Sequence, residues 1–230
     1  MHRKDIVMGQ RSQIYISWEN ENGENELIAR YYGWNFGERM VSRAAGIMEH
    51  LTEMIESNNF DKEKLIKVSE INFDMRDVCQ TSDLIKEAID FSDGTVEDKK
   101  DYLFNADNND GKLFIAVHKT GNSHQNEYGR VIPDRKIYYC FTDRNNEMVM
   151  DAKQYLQWNC DYGTNSGAKW EDGLDDETIA YTNKNIDTIN ELGERMVQKE
   201  FEYFMDYDYD CLHEGAEGKT KEKANEQAER

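Results

Sequence analysis

Between Gln10 and Trp18 apolar and polar positions alternate, with Ile14, Ile16 and Trp18 on one side and Tyr15 and Ser17 on the other. A period of two predicts a strand. The turn-forming run Glu19-Asn20-Glu21-Asn22-Gly23-Glu24-Asn25 follows, and then Leu27-Ile28-Ala29-Arg30-Tyr31-Tyr32 alternates again. The two runs predict a hairpin. Beyond it the period becomes helical, with Met40, Val41, Ala44, Met48, Leu51 and Ile55 falling on one face. Asn35-Phe36-Gly37-Glu38 has the residue types of a capping box ahead of that stripe. An amphipathic helix is therefore expected from Phe36 to Ser57, packed across the hairpin.

Farther along, Phe60 to Val68 reads as a short helix and Ile71-Asn72-Phe73 as an extended piece. Thr81 or Ser82 can cap a helix running through Leu84, Ile85, Ala88 and Ile89 to about Phe91. Tyr102-Leu103-Phe104 and Lys112 to Val117 flank the turn residues Asp107 to Gly111 and predict a second hairpin. Arg135 to Phe141 reads as a strand, Met148-Val149-Met150 as extended, and Asp151 to Trp158 as a short helix. Residues 159–176 hold three glycines and few aliphatics, so a surface loop is expected. Ile186, Ile189, Leu192, Met196, Val197 and Phe204 predict a long helix from Asn183 to Tyr207. The fold class that results is α+β, an antiparallel sheet with helices packed on one face in a single compact domain. That domain would span residues 8–213, between a short N-terminal extension (1–7) and a charged, disordered tail (214–230).

Composition narrows the classes. At 38% hydrophobic and 11% aromatic the chain can build a core, and no apolar run approaches the roughly 20 residues of a membrane span. The basic start Met1-His2-Arg3-Lys4 has no apolar segment behind it, so no secretory signal is visible. Cys79, Cys140, Cys160 and Cys211 form no CxxC pair and suggest no disulfide framework. A cytoplasmic, reducing compartment is expected. The formal net charge is −19, and residues 151–213 alone hold 15 acidic and 5 basic residues, net −10. A field of that sign repels nucleic acid and anionic membranes and attracts basic grooves. Direct binding of nucleic acid or of a membrane is therefore not expected.

Little in the sequence points to catalysis. Asn108, Asp110 and Gly111 match three positions of a calcium loop, but Ala106 and Val117 stand where the ligating carboxylates must be. The five histidines show no HxxxH, HxH or HExxH spacing, and there is no P-loop, GxGxxG or GxSxG. No metal, cofactor or catalytic residue is assigned. One alternative stays open: Trp34, Arg39 and Arg43 near a helix start could serve a nucleotide- or phosphate-binding enzyme. The stronger signal is acidic. On the expected long helix Asp187, Glu191, Glu194 and Glu202 lie near one stripe, which Asp206 and Asp210 extend, with Asp208 beside them. From Asp187 to Asp210 such a helix would measure about 35 Å, close to the roughly 34 Å turn of a duplex. Tyr203, Tyr207 and Tyr209 interleave as packing anchors, and Glu171, Asp172, Asp175, Asp176 and Glu177 add a loop of the same sign.

Gly9-Gln10-Arg11-Ser12-Gln13-Ile14-Tyr15, Tyr31-Tyr32-Gly33-Trp34-Asn35-Phe36-Gly37-Glu38-Arg39-Met40, Asn72-Phe73-Asp74-Met75 and Asn108-Asn109-Asp110-Gly111-Lys112-Leu113-Phe114 carry a family resemblance. Over about residues 8–205 the chain resembles small proteins of phages and mobile elements of low-GC Gram-positive bacteria. The resemblance implies a bacterial host cell, Met8 as the start, and a counter-defence role of the anti-CRISPR kind. It carries over no catalytic residue. The expected partner is then a basic nucleic-acid-binding protein of the host, such as a CRISPR-Cas effector, engaged by nucleic-acid mimicry. A self-associating structural or regulatory protein is the remaining alternative.

Overall fold

A computed structural model describes residues 11–70, 80–84, 103–104, 110–125, 128–164 and 167–207. Strands β1 (Arg11–Glu19) and β2 (Asn25–Gly33) form the expected hairpin, with Arg11 opposite Gly33 and Glu19 opposite Asn25. Asn20 closes its turn, the side-chain oxygen accepting from the Asn22 and Glu24 amides at 2.9 and 3.0 Å. Helix α1 (Glu38–Ser57) then buries Met40, Val41, Ala44, Met48 and Leu51 over the sheet, as their spacing requires. The capping box is not made. Gly37 occupies the cap position with φ 53° and no side chain bonds the free amides. Asn35 is drawn inward instead, donating to Ser12 Oγ at 3.0 Å and accepting from Arg43 Nε at 2.9 Å. Helix α2 (Lys62–Glu70) adds Leu65 and Val68 to the same core.

Strand β3 (Gln80–Asp83) pairs antiparallel with β2. Thr81 and Ser82 therefore sit in a strand rather than at a helix cap, and of the helix expected behind them only Leu84 is among the described residues. The extended piece expected at Ile71-Asn72-Phe73 lies outside them. Strands β4 (Lys112–Gln125), β5 (Val131–Thr142) and β6 (Val149–Met150) complete the order β3-β2-β1-β4-β5-β6. Leu103 and Phe104 are helical, so the second hairpin is made by β4 with β5 and not by Leu103 and Phe104 with β4. On its other side β4 runs parallel to β1. The sheet is thus mixed, because the long connection through α1 and α2 lets β4 enter beside β1 in the same direction.

That central position explains the run Leu113-Phe114-Ile115-Ala116-Val117, every residue of which is buried. A strand covered on both faces reads as continuous apolar sequence. Leu113, Ile115 and Val117 join Ile14, Ile16 and Trp18 beneath α1, α2, α3 (Ala152–Thr164) and α4 (Asp176–Leu192). Phe114 and Ala116 join Tyr15, Ala29 and Cys140 in a second core, closed by Leu84, Leu103 and by Phe201 and Phe204 of α5 (Gln198–Tyr207). The result is one compact α+β fold in which, among the described residues, α1 to α4 share a face while α5, with Leu84 and Leu103, covers the other.

The helix expected from Asn183 to Tyr207 is divided. After α4 the chain forms β7 (Gly193–Arg195), which pairs in parallel with Ile137, Tyr138 and Tyr139 of β5 at the sheet edge. The Met196 amide then donates to the Tyr139 carbonyl at 2.8 Å. Gly193 permits this: a Cβ there would run into the tip of Met48 and crowd Tyr139. Glycine is also a poor helix former, and leaving the helix carries Met196, Phe201 and Phe204 to aromatic surface that would otherwise face water.

Candidate acidic docking surface

Helix α4 is placed by local chemistry and by packing. Asp175 caps it, Oδ1 accepting from the Thr178 amide at 2.7 Å, and Asp176 and Glu177 occupy the first turn, where the helix dipole favours carboxylates. Thr182, Asn185, Ile186 and Ile189 face inward. At 3.6 residues per turn the opposite side presents Asp176, Glu177, Asp187 and Glu191, with Lys184 the one cation of the helix. The exposed Asp187 and Glu191 make no ion pair or side-chain hydrogen bond, nor do Glu171, Asp176 and Glu177. Asp172 is partly engaged, its Oδ2 accepting from the Lys169 amide at 2.9 Å. Glu171, Asp172 and Asp175 lead into the helix, so the acidic loop and the α4 face adjoin.

The remaining predicted residues go elsewhere. Glu194 lies on β7 and is paired with Lys136 at 2.6 Å. Glu202 and Tyr203 are on α5, across the sheet from α4; Glu202 accepts from Gln198 at 3.2 Å and Tyr203 is 63% exposed. Asp206 and Tyr207 end α5, while Asp208, Tyr209 and Asp210 lie outside the described residues, as do residues 1–7 and the tail from Glu214. The expected stripe of about 35 Å is therefore not one surface. From Asp176 to Glu191 the α4 face runs about 22 Å at 1.5 Å per residue.

The phosphate-site residues are occupied by the chain itself. Arg43 is 4% exposed, with Nε on Asn35 Oδ1 at 2.9 Å, Nη1 on the Ser69 carbonyl at 2.6 Å and the guanidinium 4.6 Å over the Tyr32 ring. Arg39 donates to the Trp34 carbonyl at 3.1 Å and lies 5.2 Å over the Phe36 ring. These arginines brace the entry to α1. The calcium-like turn is structural as well: Asp110 accepts from the Arg11 amide at 2.6 Å and from Asn159 at 3.3 Å, and burial holds its carboxyl above the usual range. Among the described residues no group of three or more His, Cys, Asp or Glu is placed to hold a metal ion, and no helix is long and apolar enough to cross a membrane.

One feature carries no sequence signal. A cavity of about 310 Å³ is lined by Trp18, Asn20, Glu21, Glu26, Asn58, Asn59, Phe60, Lys62 and Arg135. Its walls come from the β1–β2 turn, the α1–α2 connection and β5, too far apart in the chain for any spacing rule. No protein-family model, no curated protein and no solved structure matches the chain.

Proposed function

We propose that this protein is a non-enzymatic acidic inhibitor that docks the outer face of α4 and the loop before it onto the cationic nucleic-acid channel of a host defence protein, with a CRISPR-Cas effector the first to test. The single observation behind the reading is the placement of Asp187 and Glu191. They are i,i+4 neighbours of like charge, a pairing that destabilises a helix by about 0.2–0.5 kcal/mol. They also stand toward the C-terminal end of α4, whose last turn has no basic residue, where the dipole disfavours anions. Local stability gives no reason for them, whereas Asp175, Asp176 and Glu177 are accounted for by capping and by the dipole. Carboxylates that lack cation partners in the free protein are ready to meet arginines and lysines of another.

The test is inhibition of target cleavage by a purified effector–guide complex, with wild type beside Asp187→Lys/Glu191→Lys. The expected result is inhibition that weakens steeply with salt and is lost in the double variant. Full inhibition by a well-folded double variant would refute the reading.

A further inference from the structure

The cavity between the β1–β2 turn and the end of α1 has a floor of Trp18 and Phe60, their rings 15° from parallel with centroids 6.2 Å apart. Arg135 forms one wall, its guanidinium 4.7 Å over the Phe60 ring. Nη1 donates to the Glu19 carbonyl at 2.7 Å and Nε is buried without an acceptor; among the described residues no carboxylate lies within ion-pair distance, and Glu19 and Glu21 act on the guanidinium only from farther off. In a chain of net charge −19 this is notable, because Lys62 on the same cavity has Glu26 at 2.9 Å and Lys119 nearby has Glu19. The opposite sign is present too. Glu21 stands at the rim with a 73% exposed side chain, in a long, solvent-exposed ion pair of 3.9 Å with Arg130 that leaves its carboxylate able to take a second cation, and Asn58 and Asn59 belong to the C-terminal end of α1, where the dipole favours cations.

From this arrangement we infer that the cavity is a binding site for a free amino acid with a large apolar side chain, its carboxylate on Arg135, its ammonium toward Glu21 and the α1 terminus, and its side chain on Trp18 and Phe60. A carboxylate bridging the guanidinium supplies the acceptor that Nε lacks, reached by a turn of the side chain, since Nε itself is covered. The volume, about 310 Å³, sits at the lower end of ligand cavities, roughly 300–1,000 Å³. It suits a single residue better than a nucleotide, whose phosphates Glu21 and Glu26 would repel. This inference does not rest on the α4 surface.

Calorimetric titration of the full chain with L-phenylalanine tests it, with phenylalaninamide and N-acetyl-phenylalanine as probes lacking one charge each. A ligand of this size should bind with a Kd of about 0.1–1 mM. Arg135→Gln and the amide should each weaken binding about 10- to 100-fold, and the acetylated probe should bind more weakly than the free amino acid. Should Arg135→Gln unfold, Asn59→Trp fills the cavity from an exposed position and is expected to abolish binding with the melting temperature retained. Absence of saturable heat for phenylalanine, leucine and tryptophan, or equal binding by the amide or by a folded Asn59→Trp, would overturn the assignment.

Discussion

Gly111 joins two demands that no other residue meets. Its φ is +86°, and a Cβ would overlap the Thr142 carbonyl oxygen while crowding Trp158 and Tyr155. Gly111→Ala should therefore destabilise the fold by about 3 kcal/mol, read as a drop in the denaturant midpoint. Its neighbour Lys112 is 1% exposed, with Nζ donating to the Arg144 carbonyl at 2.8 Å and to Asn146 Oδ1 at 3.0 Å. Burial, only partly offset by Asp143, pulls its pKa from 10.5 to about 8. Between those values the folded state binds fewer protons than the unfolded one, so this group's contribution to stability rises with pH. The full difference is on the order of 3 kcal/mol. Burial raises the Cys140 thiol and so acts in the opposite direction above about pH 9. The Lys112 effect is accordingly the difference between wild type and Lys112→Met: stability of the variant relative to wild type should fall as pH rises from about 8 to 10, and a flat difference would refute it. Arg43 ties Asn35, Ser69 and Tyr32 together, and Arg43→Leu should destabilise by about 3 kcal/mol, checked by thermal melting.

At the scale of elements, helix ends divide into those fixed by side chains and those fixed by packing. Helix α3 begins with a reciprocal box in which the Gln154 amide donates to Asp151 Oδ1 at 2.8 Å and the Asp151 amide to Gln154 Oε1 at 3.0 Å. Asp151→Ala should destabilise by about 1 kcal/mol in a urea melt. On α4 the expectation has the opposite sign. Asp187→Asn/Glu191→Gln should raise stability by several tenths of a kcal/mol while weakening partner binding, so a melting curve and a binding curve must move in opposite directions. Periodicity made the first hairpin, α1, α2, β5 and the first half of α3 legible, because each buries one face and its pattern is local, whereas α3 runs on to Thr164 into the expected surface loop. The break in α4–α5 was not legible, since Ile186, Ile189 and Met196 fit a continuous helix. What overrides that period is the gain from pairing β7 with β5, a partner more than 50 residues away in sequence. The parallel entry of β4 was hidden for the same reason, although its unbroken apolar run signalled burial on both faces.

For the whole molecule, charge and topology have to be taken together. The sequence places most of its excess acid in one stretch, but the fold distributes that stretch over two faces and an edge. Among the described residues only the α4 face and its entry loop remain a continuous candidate surface. The site was thus legible in residue type but not in grouping, which depends on where a three-residue strand turns the chain. Glu202→Lys on α5 should accordingly leave partner inhibition within about twofold of wild type, as expected for a charge outside the contact, measured in the same cleavage assay. The crossing at β7 has an outcome for biosynthesis as well. Tyr15 is among the earliest of the described residues to be translated, yet the ring stack it makes with Phe114 has Phe201 and Phe204 as its lid. A nascent chain stalled before Phe201 therefore lacks the edge-on cover of Phe201 and Phe204 over that stack, which is completed only when α5 emerges from the ribosome.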